Sequence, residues 1–385
     1  MEGNLESSIN EGLSTKRDRP GPQERSFEIQ KRLEELEEKI KGFGGWSELP
    51  EMAKEQWRES TRVALKLEYE RPCSGLEDEI EDDEESQALK YRNHWTSVWG
   101  HLGDFEDATE IGPKRFWLNH EPQARPYTTI QVFSAKIVRL SEGLRFPLDV
   151  YGTIAARDCV DRRRNIIFSH LRDNCQTITE QDPYLLLTGP SRAIVLLDPV
   201  FMEVMLKVKG AVECEDKILN FQVDELAWSD TGYSRVRDEH YKSKHSTLNL
   251  VLGTMDLSVE ACISVRPIGA PLPAAFLVTA KAGNSNPDGP FEDIDSKKII
   301  LFDSRHASCP FDSTGFINLS RAIVSVRVTG NLTISIETPE KVLHRMTFPA
   351  RKKERMRVAK PYFPDGDVGP GLIEVVVIWS PLRHH

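Results

Sequence analysis

One turn near the middle of the chain collects Arg157, Asp158, Asp161, Arg162, Arg163, Arg164 and Arg172 within sixteen residues. Guanidinium groups at successive positions suit bidentate, charge-assisted bonding to phosphate or to an acidic peptide, so these seven residues form the candidate binding set. Asp158 and Asp161 lack the oxygen-rich spacing of a calcium loop, and the adjoining arginines oppose a cation. The commoner outcome for such a turn is that its Asp and Arg side chains pair with one another and tie a hairpin.

Two other places carry chemistry-bearing side chains. Asp303, Ser304 and His306 follow an apolar segment, but a nucleophilic serine needs a base placed by the fold and usually a strand-turn-helix elbow, and neither is visible. Local backbone bonding at a turn is the better reading. The basic stretch at residues 351–360, RKKERMRVAK, is interrupted by Glu354 and has no interleaved aromatics; it reads as an exposed basic loop rather than a nucleic-acid patch. The segment Thr188-Gly189-Pro190-Ser191 is a turn with neither phosphate-loop nor dinucleotide spacing. Cys73, Cys159, Cys175, Cys214, Cys262 and Cys309 form no CxxC pair and are expected to be reduced and mostly buried. His384-His385 at the terminus does not make a metal site. No catalytic residue, metal or cofactor is therefore expected; enzyme activity is left open, with a non-catalytic role favoured, phosphate, ligand or nucleic-acid binding through the basic turn as one alternative and a hydrolase without a recognisable motif as another.

The elements that must position these side chains are strands. From residue 127 onward the apolar period is two, with expected strands at 128–138, 148–156, 165–169, 192–197, 204–208, 217–223, 248–265, 276–280, 298–302, 323–328, 332–336 and 373–379. Met202, Val204, Leu206 and Val208 face one way, and Glu203, Lys207 and Lys209 the other, as in a sheet with one solvated face. With no long helix after residue 125, parallel crossovers are disfavoured. The expected fold is mainly β: a large antiparallel sandwich or barrel-like domain with a short N-terminal helical extension.

That extension divides into a disordered leader (residues 1–25), a helical hairpin (26–72), an acidic spacer (73–90) and an aromatic connector docking on the body (91–126), ahead of the β-rich domain (127–385). In the hairpin, Ile29, Leu33, Leu36 and Ile40 recur at helical spacing, short for an independent coiled coil, and Trp57 lies on the second helix. These five residues form the expected partner surface. Trp95 and Trp99, four apart, read as an aromatic anchor. The net charge of -10 is misleading, because eight negative charges fall within residues 77–85, leaving about -2 elsewhere, so the total argues neither for nor against a nucleic-acid partner. No apolar run is long enough to span a membrane, and the start has no secretory pattern. A cytoplasmic or nuclear protein with a protein partner on its N-terminal helices and no membrane is expected, and a nucleic-acid partner is disfavoured; the oligomeric state is not set by the sequence.

The succession VYGTIAARD (150–158), LTGPSRAIVLLDPV (187–200), EVMLKVKG (203–210), ILFDSR (300–305), INLSRAIVSVRVTG (317–330) and VVVIWS (375–380), with FEDATEIGPKRF (105–116) upstream, resembles a plant family. It is the uncharacterised domain, expanded in grasses, that also forms the C-terminal part of the jasmonate-induced ribosome-inactivating protein of cereals. The resemblance covers about residues 100–385 and implies a β scaffold in a stress- or defence-linked setting. It does not carry over the toxin's N-glycosidase activity. That site uses tyrosines stacking adenine and a Glu/Arg pair on a helix, and no helix here has such a pair.

Overall fold

A 23-residue strand, Ser246–Ile268, holds the second half of this protein together, and its alternating apolar residues enter two different cores. The structure, a computed structural model, describes residues 27, 30–35, 37–38, 54, 58, 84–112, 125–141, 143–227, 235–283, 292–306, 311–352, 354–363 and 370–382. The expectations for the leader, Ile29, Leu36, Ile40, Trp57, Cys73, Cys309, most of the acidic spacer and His384-His385 lie outside the described residues. The chain divides into two units, Met1–Glu81 and Asp82–His385.

In the first unit, residues 30–35 and 37–38 are helical, as are Lys54 and Arg58. The Arg58 guanidinium holds Glu37 through two bonds of 2.9 and 2.8 Å, a side-chain link between the two helical stretches. Leu33 is only 2% exposed whereas Phe27 is 73% exposed. Leu33 is thus buried as the chain stands and is not an accessible partner contact.

The second unit opens with helix α1 (Glu84–Trp99), which starts inside the stretch read as acidic spacer. Glu84 and Glu85 occupy its first turn, where unpaired backbone N–H groups favour negative charge. Its strands, in chain order, are β1 (Tyr127–Leu140), β2 (Leu148–Arg157), β3 (Asn165–His170), β4 (Gln176–Ile178), β5 (Ile194–Val195), β6 (Val200–Val208), β7 (Lys217–Leu226) and β8 (Arg235–Lys242). They continue with β9 (Ser246–Ile268), β10 (Leu277–Gly283), β11 (Ile299–Asp303), β12 (Ile323–Arg327), β13 (Asn331–Glu337), β14 (Val342–Pro349), β15 (Glu354–Tyr362) and β16 (Gly371–Ser380). Every pairing between them is antiparallel. The basic stretch read as a loop is strand β15, because Met356 and Val358 alternate inward against the core. β4, β8 and β14 were not legible as strands: β8 and β14 lie on sheet edges, and β8 is polar. β5 is two residues rather than six.

The sheets make two sandwiches that share β9. The first half of β9 lies between β1 and β8, opposite the sheet β3-β2-β6-β7; the second half lies between β12 and β16, opposite the sheet β11-β10-β13-β14. Leu248, Leu250 and Leu252 enter the first core, and Val259, Ala261, Ile263 and Val265 the second. Between them Leu257 has φ of 40°, a strained conformation for a non-glycine residue. There Asp256 and Leu257 stand against Thr128 alone, a bulge that bends the strand from one sandwich to the other.

The two sandwiches are the same design twice. The row Ile194–Ile130–Thr254–Arg235 across the first shared-sheet segment matches the row Ile323–Cys262–Ile378–Arg355 across the second. The opposite sheets match as Phe168–Ile154–Val204–Gln222 and Phe302–Val278–Ile336–His344. The sequence SRAIV recurs at residues 191–195 and 320–324, at equivalent places that run into β5 and β12. An internal duplication with one shared strand accounts for both the topology and the repeat.

Candidate functional site

The arginine-rich turn joins β2 to β3 and lies beneath α1. Arg157, the last residue of β2, is 1% exposed. Its guanidinium pairs with Glu203 on β6 and donates to the backbone carbonyls of Arg162, at 2.7 Å, and Phe105, at 2.5 Å. Its planar face lies over the rings of Trp95 (4.6 Å) and Phe105 (4.3 Å), a desolvated cation–π arrangement. Arg164 reaches the other oxygen of Glu203 at 2.7 Å. One buried carboxylate therefore serves two arginines. Residues 107–109 run beside the turn, bonded through Thr109 N to Arg164 O and Arg164 N to Asp107 O.

Helix α1 is fastened to this cluster by its aromatic residues. Trp95, 2% exposed, donates its indole N–H to the Arg162 carbonyl at 3.0 Å. Tyr91 packs on Phe201 with ring centroids 4.8 Å apart, and its burial, with Glu203 nearby, pushes the phenol pKa up. Trp99 lies 5.2 Å from the Arg162 guanidinium. The four-residue spacing of Trp95 and Trp99 thus marks an anchor on the β body.

The acidic members of the set are also engaged. Asp158, fully buried, accepts two bonds from the Arg192 guanidinium at 2.6 and 2.7 Å and one from Val195 N at 2.8 Å. Burial would lower the Arg192 pKa, but Asp158 more than offsets it and the value is raised. Arg172 grips Asp216 and the Gly210 carbonyl on the β6–β7 connection, and Tyr151 donates to the same carboxylate. Only Arg163 pairs inside the turn, with Asp161 at 3.2 Å. The expectation that the turn's own Asp and Arg side chains tie the hairpin is corrected: Arg157, Asp158, Arg164 and Arg172 are held by Glu203, Arg192 and Asp216 from other elements. Arg162, about one-fifth exposed, faces Asp198 at 3.5 Å.

Asp161 provides a pH-dependent contact. Burial would raise its pKa, but bonds from the Thr109 hydroxyl and from the Arg163 N–H and guanidinium hold it below its ordinary value of 3.8. A carboxylate lowered in this way contributes stability that is present above its unfolded pKa and is lost as pH falls through the folded one. Asp161→Asn is therefore expected to flatten the acid limb of the stability profile below about pH 4, read as unfolding midpoints at successive pH values; an unchanged acid slope would refute the assignment.

Elsewhere the structure removes rather than adds chemistry. Ser304 Oγ donates to the Ala274 carbonyl at 3.1 Å and accepts from Phe276 N at 2.9 Å, so it ties the end of β11 to the distant segment before β10 rather than bonding its own turn; the expected local backbone bond is made by Asp303, which accepts from Arg305 N at 3.0 Å. His306 is 3.9 Å from Asp303, whose carboxylate is held by Arg305. Among the described residues no group of His, Cys, Asp and Glu is placed to hold a metal. The described cysteines are less buried than expected: Cys159, Cys175 and Cys262 are partly exposed and Cys214 is exposed. Burial still pushes the Cys159 thiol up to about 12, so it stays protonated at neutral pH. Trp379 is fully buried.

Glu203, Arg192 and Phe105 were missed by reading local motifs. The SRAIV repeat was the available signal for Arg192. Its counterpart Arg321 is 2% exposed, donates to the Val132 and Phe133 carbonyls beside a bulge in β1, and burial lowers its pKa to about 10. Glycine in the VYGT motif is explained by Gly152, whose φ is 120° and whose added Cβ would collide with the Met205 carbonyl.

Fold and site together define an antiparallel, internally duplicated double β-sandwich with a helix clamped on one half. The chain belongs to the family described as "Domain of unknown function (DUF6598)", whose family model matches residues 129–361. No curated protein matches the chain. Among solved structures it is similar to "Human GIVD cytosolic phospholipase A2", in complex with a fluorophosphonate inhibitor and terbium chloride, at 11% identity over 68% of this chain and 33% of that one, TM-score 0.22. It is also similar to a multidomain structure of "Extended-Synaptotagmin 2", at 8% identity over 69% of this chain and 60% of that one, TM-score 0.22. The chain thus spans about a third of the phospholipase chain, and likeness at this level carries no functional argument. Among the described residues no helix is long and apolar enough to cross a membrane.

Proposed function

We propose that this protein is a non-catalytic interaction module, with the helical unit Met1–Glu81 as a separable partner-binding element on a β scaffold. The observation that supports this reading is the use of the arginine-rich turn: its cations are engaged by Glu203, Asp161, Asp198 and Asp216. That turn clamps α1 to the sheet and presents no array of unpaired guanidinium groups to a phosphate. On the helical unit, Phe27 is exposed and offers an apolar contact. The family resemblance supports a plant stress- or defence-linked setting, and a cytoplasmic or nuclear location fits the cysteine usage.

The test compares the full chain with the chain lacking Met1–Glu81 in quantitative capture from a plant extract, alongside turnover of generic ester and glycoside substrates. A partner retained by the full chain and lost on the deletion is expected, with no turnover. Turnover abolished by Ser304→Ala at unchanged melting temperature would overturn the non-catalytic reading.

A further inference from the structure

The duplication provides an internal control for the outer edge of the shared sheet. β8 and β15 occupy equivalent places, each pairing on one side only with β9 or β16, and each carries Arg-x-Arg in the same register: Arg235-Val236-Arg237 and Arg355-Met356-Arg357. Their surroundings differ. Against β8 lies helix α2 (Glu292–Ser296), whose sequence EDIDS is acidic. Among the described residues β15 pairs with β16 alone. From Glu354 to Pro361 its backbone makes no bond outside the β16 ladder among those residues, and in an antiparallel pair alternate residues of an edge strand point their N–H and C=O groups outward.

The charge of the two strands differs as well. β8 is mixed, with Asp238 and Glu239 among its cations. Around β15, Lys352, Arg355, Arg357 and Lys360 are exposed, and Glu354 is the strand's one acidic residue, paired with Arg351 at 3.2 Å. Arg357 is held by Glu374 of β16, at 2.6 Å. Charges on an edge strand prevent self-association, but the mixed set on β8 would serve that purpose equally well. The basic bias of β15 is therefore not required by the fold, and like charges exclude a second β15 from pairing there.

We propose that the outer edge of β15 is a docking site for an extended acidic peptide of a partner protein. The peptide adds as a further strand, its backbone bonding to β15; carboxylates on one of its faces meet Arg355 and carboxylates on the other meet Lys360, because these two cations stand on opposite faces of the sheet. Strand addition of this kind draws affinity from the main chain and selectivity from alternate side chains. The site is independent of the helical unit, so its failure leaves the module reading standing.

The test uses fluorescence anisotropy with a labelled ten-residue peptide of Glu and Val in which Glu occupies both odd and even positions, so that both faces of the added strand carry carboxylates. It is applied to the full chain and to a full-length variant whose Glu77, Asp78, Glu79, Glu81, Asp82 and Asp83 are changed to Gln or Asn, so that the chain's own acidic run does not compete. Saturable binding to at least one of the two is expected. Binding should weaken at least tenfold in Arg355→Glu/Lys360→Glu made in the binding protein, at unchanged melting temperature, and at least tenfold when alternate peptide nitrogens are methylated. Absence of binding to both proteins would overturn the proposal. So would equal affinity for the methylated peptide, or for a single-stranded oligonucleotide of equal charge, because either outcome shows charge attraction without strand pairing.

Discussion

Glu203→Ala is expected to destabilise the second unit by about 3–5 kcal/mol, the range measured when one partner of a buried ion pair is removed. The side chain is 6% exposed and holds Arg157 and Arg164, which are 1% and 8% exposed. Without it two guanidinium groups remain in a site from which water is excluded, and the rings of Trp95 and Phe105 cannot replace a carboxylate. Denaturant unfolding checks this through a shift in midpoint at unchanged slope. Replacing all three charges, as Glu203→Met/Arg157→Met/Arg164→Leu, should recover much of the loss, because no unpaired charge is left buried. A single-substitution cost below about 1 kcal/mol, typical of exposed pairs, would show that the cluster is solvated in solution.

The second large effect concerns where the chain can be cut. Removing Met1–Glu81 is expected to leave the stability of residues 82–385 essentially unchanged, because the division between units falls there. Extending the deletion through Trp99 removes α1, exposes Phe201, Phe105 and Arg157, and deletes the Trp95 indole bond to Arg162. Trp95→Ala alone should cost about 3–5 kcal/mol, as for other buried aromatic residues truncated to alanine. Melting curves of the two truncations decide the point: equal melting temperatures would mean that α1 is not part of the folded β body.

Much of the architecture was readable in advance because it rests on local periodicity. The two-residue alternation in Met202, Val204, Leu206 and Val208 survives as buried positions of β6, except for the half-buried Val208. The polar edge strand β8 was not readable, since its pattern resembles a charged loop. β15 was misread for the same reason: its apolar residues Met356 and Val358 are only partly buried, which leaves a sequence dominated by cations. The candidate turn was found from its density of charge, but its partners were not. Asp158 finds Arg192 thirty-four residues away and Arg157 finds Glu203 at forty-six, separations that no local motif encodes.

Spacing along the chain was enough to set the class of this protein: an antiparallel β body, a helical extension, an aromatic anchor at Trp95 and Trp99, and an arginine-rich hairpin. Each follows from local periodicity, which fixes the face on which a side chain emerges. What the hairpin does was settled by the fold. Whether a guanidinium binds a ligand or a neighbour depends on which carboxylate is brought within hydrogen-bonding distance and on whether water can reach it. Here β6 delivers Glu203, the SRAIV segment delivers Arg192, α1 closes over Arg157 and Phe105 covers Arg164, so the charges that looked available in the sequence are neutralised inside the molecule.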